Sequence, residues 1–270
     1  MKSLACLTLL AALAAGAQEL SQYDRVLLPA WAQTPITGAN GSTFQTVLEV
    51  QPQSRTVQYY PVVTTNLPVL PTFGVIPAQV SNTLKLYDLV PQAHGRLLLL
   101  EKGGADTLTF SYKVIALDAD GTPRYTSLPV VRERDFRSGP ADIVGIPTWP
   151  VEGGYRHRNM LRVYDPDNTG TLRVRVTWGV VNFNMAPATE ASRIVDVSAR
   201  DFDNPSYPYF AEVDLDTLIP PCVPGIPVSS PCARMDRVIR ITPLAAGARF
   251  WAFVSTTDNV TQAVTIHMPQ

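Results

Sequence analysis

The sequence predicts an all-β protein: two similar antiparallel β-sandwich domains in tandem, behind a cleaved export signal. Three observations predict this. The opening residues, MKSLACLTLLAALAAGA, have the layout of a signal peptide. Short stretches of period-two alternation recur between Gly- and Pro-rich punctuation, and no long capped helical period is present. Four motifs occur twice, in the same order, in the two halves of the chain.

The signal comes first. Lys2 is a minimal basic region, residues 4–15 are apolar, and Ala15-Gly16-Ala17 is a small-x-small cleavage site. The apolar run is shorter than the about 20 residues that cross a membrane, and no later stretch approaches that length. Cys6 lies inside the run, so a lipid-modified cysteine is not expected. Residues 1–17 are read as removed. The mature chain, from Gln18, is expected to be secreted or periplasmic, with no membrane insertion. The full chain's net charge of −1 gives no reason to expect nucleic acid or an anionic membrane as partner. Few charged residues (17%) and 24 prolines fit a loop-rich β protein.

The repeat orders the rest. DRVLLPAW (24–31) and DIVGIPTW (142–149) share D-x-V-x-(L/I)-P-x-W. GSTFQTVLEV (41–50) parallels GYRHRNMLRV (154–163), and LYDLVP (86–91) parallels LDTLIP (215–220). RLLLLEKGGADTLTFSYKV (96–114) parallels RVIRITPLAAGARFWAFV (237–254). A tandem duplication follows, with domains at 18–138 and 139–270. Their boundary is the charged, then Gly/Pro-punctuated RERDFRSGPA.

Each repeat reads as strands. Leu108, Phe110, Tyr112 and Val114 share one face, and Phe250, Ala252 and Val254 match them. Leu172, Val174, Val176 and Trp178 alternate with Arg173, Arg175 and Thr177, so one face is buried and one is wet. About seven strands per roughly 120 residues is a sandwich pattern of immunoglobulin-like type, with a mostly closed barrel as the alternative. The paired DRVLLPAW and DIVGIPTW stretches and the closing RFWAFVSTTDNVTQAVTIHMPQ resemble tandem immunoglobulin-like modules of exported bacterial proteins. The resemblance spans nearly the whole mature chain. It implies a fold and no activity, so function has to be argued from sites.

The halves differ in two places. Four residues (92–95) fill a gap in the first repeat that 221–236 fills in the second. Cys222 and Cys232 lie in that insertion and are expected to form a disulfide in an exported chain. The second difference is DFDNPSYPYF (201–210), where Asp203, Asn204, Tyr207 and Tyr209 are candidate binding residues. A carbohydrate-binding reading needs the rings of Tyr207, Tyr209 and Phe210 exposed and coplanar.

No catalytic constellation stands out. The three histidines, His94, His157 and His267, form no H-E-x-x-H, and no G-x-S-x-G is present. Asp201 with Asp203, or Asp214 with Asp216, could serve a hydrolase only if two carboxylates faced each other across a cleft. YDPDNTG (164–170) has the start of a calcium loop, but its fifth and twelfth positions are Thr169 and Val176. It reads as a hairpin turn between strands at 158–164 and 171–178, with Gly170 at positive φ. A weak calcium contact through Asp165 and Asp167 is the one metal reading left. No other cofactor is expected. The leading expectation is a non-catalytic exported protein acting in adhesion, scaffolding or protein binding, its protein or glycan partner unspecified. A carbohydrate-binding module and a glycoside or ester hydrolase are the alternatives.

Overall fold

The computed structural model describes residues 22–37, 41–60, 73–84, 86, 90, 92–117, 120–147, 150, 151, 154, 155, 157–179, 191–218, 237–259, 261 and 263–270. The expected signal peptide and the Cys222–Cys232 loop lie outside them. The chain falls into two compact units. The first holds residues up to Phe136 with the short segments Pro166–Thr169 and Arg200–Pro208, and the second holds the remainder from Arg137.

The first unit contains β1 (Tyr23–Trp31), β2 (Ile36–Thr37), β3 (Thr43–Pro52), β4 (Val57–Tyr60) and β5 (Gly74–Ile76). It continues with β6 (Asn82–Thr83), β7 (Ala93–Glu101), β8 (Leu108–Leu117), β9 (Pro123–Ser127) and β10 (Val131–Arg132). The second contains β11 (Ala141–Ile146), β12 (Pro150–Val151), β13 (Gly154–Tyr155), β14 (His157–Asp165) and β15 (Leu172–Gly179). It ends with β16 (Ala191–Val197), β17 (Tyr209–Asp214), β18 (Arg237–Pro243), β19 (Trp251–Asp258) and β20 (Val264–His267). Among the described residues helix is confined to short turns such as Leu215–Leu218. No described helix is long and apolar enough to cross a membrane.

The fold is all-β and antiparallel, and the two units share one strand order. β1-β7-β4-β5 in the first corresponds to β11-β18-β15-β16 in the second. β6-β3-β8-β9 corresponds to β17-β14-β19-β20. Among the described residues these sheets have open edges, so the barrel alternative does not describe them. In the immunoglobulin arrangement the first strand neighbours the second, and the seventh neighbours the sixth. Here β1 pairs with β7, and β8 pairs with β3. β3 also pairs with β6, and β4 with β7.

Each unit buries one core between its two sheets. In the second, Ile143, Val174 and Ile241 from one sheet meet Val163, Phe250 and Val254 from the other. The alternation along β15 is as the sequence implied: Leu172, Val174, Val176 and Trp178 are buried, and Arg173 and Arg175 are exposed. In the first unit, the Tyr112 hydroxyl donates toward the carbonyls of Pro29 (3.0 Å) and Ala30 (2.9 Å). That bond steadies Ala30, a non-glycine held at φ +59°.

One expectation needs correction. The 165–170 segment is not a hairpin turn. β14 pairs with β17 and β19, whereas β15 pairs with β16 and β18, so the chain crosses between sheets there. Turn chemistry is local and cannot distinguish a hairpin from such an arch. The local features are nonetheless present: Gly170 has φ +65°, and its N–H donates to Asp165 Oδ2 at 2.9 Å. Not every strand has a wet face. Val26, Leu27 and Leu28 on β1 and Leu97 to Leu100 on β7 are all buried, so both faces are covered. Tyr164, Trp251 and Phe253 project away from Val163 and Ala252 and are buried too, their ring centroids 5.5–6.3 Å apart.

Candidate functional site

The sequence directs attention to 201–210, and the structure divides that stretch. Segment 200–208 belongs to the first unit, where Leu97 N donates to Ser206 O at 2.8 Å. Asp201 grips His94 twice, accepting its backbone N–H at 2.7 Å and bonding its Nδ1 at 2.8 Å. Arg96 is fully buried, with its guanidinium 4.5 Å from the Tyr207 ring centroid. Such a cation over a ring face is an attractive contact that strengthens when water is excluded.

The segment also braces itself. Asn204 Oδ1 accepts from Ser206 N, and Asn204 O accepts from Tyr207 N, both at 2.9 Å. This is the Asx-turn chemistry that suits Asn in tight loops. Arg200 donates to Tyr207 O at 2.8 Å and to the Asp203 carboxylate at 3.2 Å. Of the candidate binding residues, Asn204 and Tyr207 are therefore buried parts of the brace, and Asp203 is the one fully presented to solvent. Tyr209 belongs to β17 in the second unit and is half-buried, its ring lying against Gly170. The carbohydrate reading asked for an exposed coplanar platform. Tyr207 is 0% exposed and Phe210 8%, so two of its three rings are not available for stacking. The exposed ring here is Phe202, at 42%, tilted 59° to Tyr207.

The other flagged carboxylates hold backbone. Asp216 accepts from Asn159 N (2.9 Å) and Asn159 Nδ2 (3.1 Å), and Asp214 accepts from Asp216 N (2.9 Å). Asn159 is fully buried: its Nδ2 also donates to Pro147 O, and its Oδ1 accepts from the Thr256 hydroxyl. This network fixes the Leu215–Leu218 turn onto β14. Asp165 is 1% exposed and serves Gly170, whereas Asp167 pairs with Arg25 at 2.9 Å. Arg25 is itself buried, and it also donates to Pro166 O and pairs with Glu133. Among the described residues no group of three metal-ligating side chains gathers.

The sequence reading did not find His94–Asp201, Arg96–Tyr207 or Arg25–Asp167. Each joins positions more than a hundred residues apart, and no local pattern marks them. It also did not find a cleft of about 460 Å³ in the first unit, whose walls include Leu108, Phe110, Tyr112, Leu128 and Arg132. No family model, curated protein or solved structure matches the chain.

Proposed function

We propose that the chain is an exported, non-catalytic binding protein made of two duplicated β-sandwich modules. The modules are immunoglobulin-like in their central strand pairs and differ from that fold in where the first and seventh strands sit. The observation that carries the binding reading is segment 200–208. It is hydrogen-bonded at successive turns, yet it presents Phe202 and Asp203 outward. A contact segment ordered before binding loses little entropy when a partner arrives. Aromatic side chains such as Phe are enriched at protein contact surfaces. The flagged acids support a non-catalytic role, because Asp165, Asp201, Asp214 and Asp216 each accept a backbone amide.

The test has two parts. N-terminal sequencing of protein recovered from outside the cytoplasm should begin at Gln18. Retention of residues 1–17 would remove the export reading. A pull-down with the mature protein should capture a protein partner whose retention falls at least tenfold in Phe202→Ala/Asp203→Ala. Equal capture by that variant would remove segment 200–208 as the contact, and turnover of any glycoside or ester in a broad panel would remove the non-catalytic reading.

A further inference from the structure

The cleft in the first unit lies along an open strand edge. β8 pairs with β3 over its whole length. Gln53 N donates to Thr107 O at 2.9 Å, which sets the antiparallel alternation. Thr109 and Ser111 turn their main-chain groups toward β3, so Leu108, Phe110 and Tyr112 turn theirs the opposite way. On that opposite side Leu128 N donates to Tyr112 O at 2.9 Å, extending the pairing of β9. The chain then leaves to form β10, which pairs with β1 in the other sheet. Leu108 O accepts from Arg132 Nη2 at 2.9 Å. Between these two bonds, the N–H and C=O of Phe110 face the cleft.

Arg132 shares the walls of the cleft with Asp106, Arg134 and Asp135. Its guanidinium stands 5.5 Å from the Phe110 ring centroid and donates to a neutral carbonyl. The Asp135 carboxylate takes the backbone N–H of Arg132, and Asp106 takes Arg134. Among the described residues no carboxylate pairs with the Arg132 guanidinium. The second unit shows what such an edge accepts. There the beginning of β19 is met by main chain: Phe250 and Arg137 exchange two hydrogen bonds of 2.8 Å in an antiparallel bridge.

We propose that this cleft binds an extended segment of a partner protein, added antiparallel to β8, with an acidic side chain directed at Arg132. One residue of the segment exchanges both main-chain bonds with Phe110, the mode by which exposed sheet edges capture peptides. Arg132 has five donors, so it can keep Leu108 O and still grip a carboxylate with two more. The site is separate from segment 200–208.

The test is selection of a phage-displayed library of random linear heptapeptides on the immobilised mature chain. Phe110→Pro serves as the counter-selection. Proline removes an N–H that makes no bond to β3, and an outward-facing N–H is where a strand tolerates it. Wild type should enrich β-branched sequences containing Asp or Glu, and Phe110→Pro should not. The selected peptide, titrated into labelled mature chain, should shift the Phe110 amide. Its affinity should fall about tenfold in Arg132→Gln, and about tenfold when its own pairing residue is N-methylated. Phe202→Ala should leave it unchanged, so this inference and the preceding one fail separately.

Enrichment that is absent, or equal on Phe110→Pro, would overturn the proposal. So would an N-methylated peptide that binds like its parent, a readout that does not depend on any variant folding. Equal binding of the Gln-substituted peptide would overturn the acidic requirement. Self-association of the mature chain that Phe110→Pro abolishes would make the occupant a second copy and overturn the partner assignment.

Discussion

Arg25 and Ile143 occupy the same place in the repeated D-x-V motif, one residue after Asp24 and Asp142, and their surroundings are opposite. Ile143 is 0% exposed in an apolar core. Arg25 is 6% exposed and is surrounded by Glu133, Asp167 and the Pro166 carbonyl. The beginnings of β8 and β19 differ in a parallel way. A guanidinium closes one edge at Leu108, and a main-chain bridge closes the other at Phe250. The shared strand order therefore does not prescribe how a given position is satisfied. The first unit solves these places with arginine, whose charge has to be matched. The second solves them with hydrocarbon and backbone.

The largest expected effects come from breaking the two solutions at the D-x-V position. Ile143→Ala removes a fully buried side chain and leaves a cavity, so it should destabilise the protein by about 3–4 kcal/mol. The loss should be insensitive to salt. Arg25→Ala should cost about 2–3 kcal/mol, somewhat below the penalty for a fully buried ion pair. The discount reflects Glu133 and Asp167, whose side chains stay 32% and 27% exposed and can regain water. Chemical denaturation of each variant in low and high salt would check both. If Arg25→Ala proved as salt-insensitive as Ile143→Ala, the charge-matching account of the first unit would be wrong.

That pair also shows what was legible. The repeat placed Arg25 and Ile143 in register, because D-x-V is a local pattern. Nothing local tells a buried arginine from an exposed one, since the partners of Arg25 lie 108 and 142 residues away. The same limit applies to the candidate site. The composition of 201–210 marked it as unusual, and the Asx-turn at Asn204 is the kind of local chemistry a sequence carries. The burial of Tyr207 depends on Arg96 in a distant strand, so the sequence left Tyr207 a candidate binding residue. The alternation along β15 was readable, but its sheet was not, because sheet membership is a long-range pairing.

A smaller effect should separate the two crossings from the second strand to the next sheet. In the second unit that crossing carries Gly170 at φ +65°, with a hypothetical Cβ 2.9 Å from the Tyr209 ring. Gly170→Ala should cost about 1–2 kcal/mol from the left-handed backbone alone. The first unit crosses through Gln53 to Arg55 with no positive φ there. Gln53→Ala should accordingly stay within about 0.5 kcal/mol, as ordinary surface changes do. Equal losses in thermal melts would show that the two crossings are constrained alike.

The smallest expected effect concerns Asp142, whose counterpart Asp24 accepts the backbone N–H of Ala105 instead of a cross-strand arginine. Arg240 meets Asp142 through Nε and Nη2, each at 2.8 Å, and the pairing holds the carboxyl below its ordinary range despite partial burial. A carboxyl lowered in the folded state stabilises fully above its unfolded pKa, near 3.9, and loses that contribution as pH falls toward the folded value. Both side chains are substantially exposed, at 36% and 60%, so solvent screens the pair and the gain is under about 1 kcal/mol. Asp142→Asn should therefore lower stability slightly at pH 7 and make no difference near pH 2. A deficit that persisted unchanged at pH 2 would mean that Asp142 acts through packing across β11 and β18, and not through its charge.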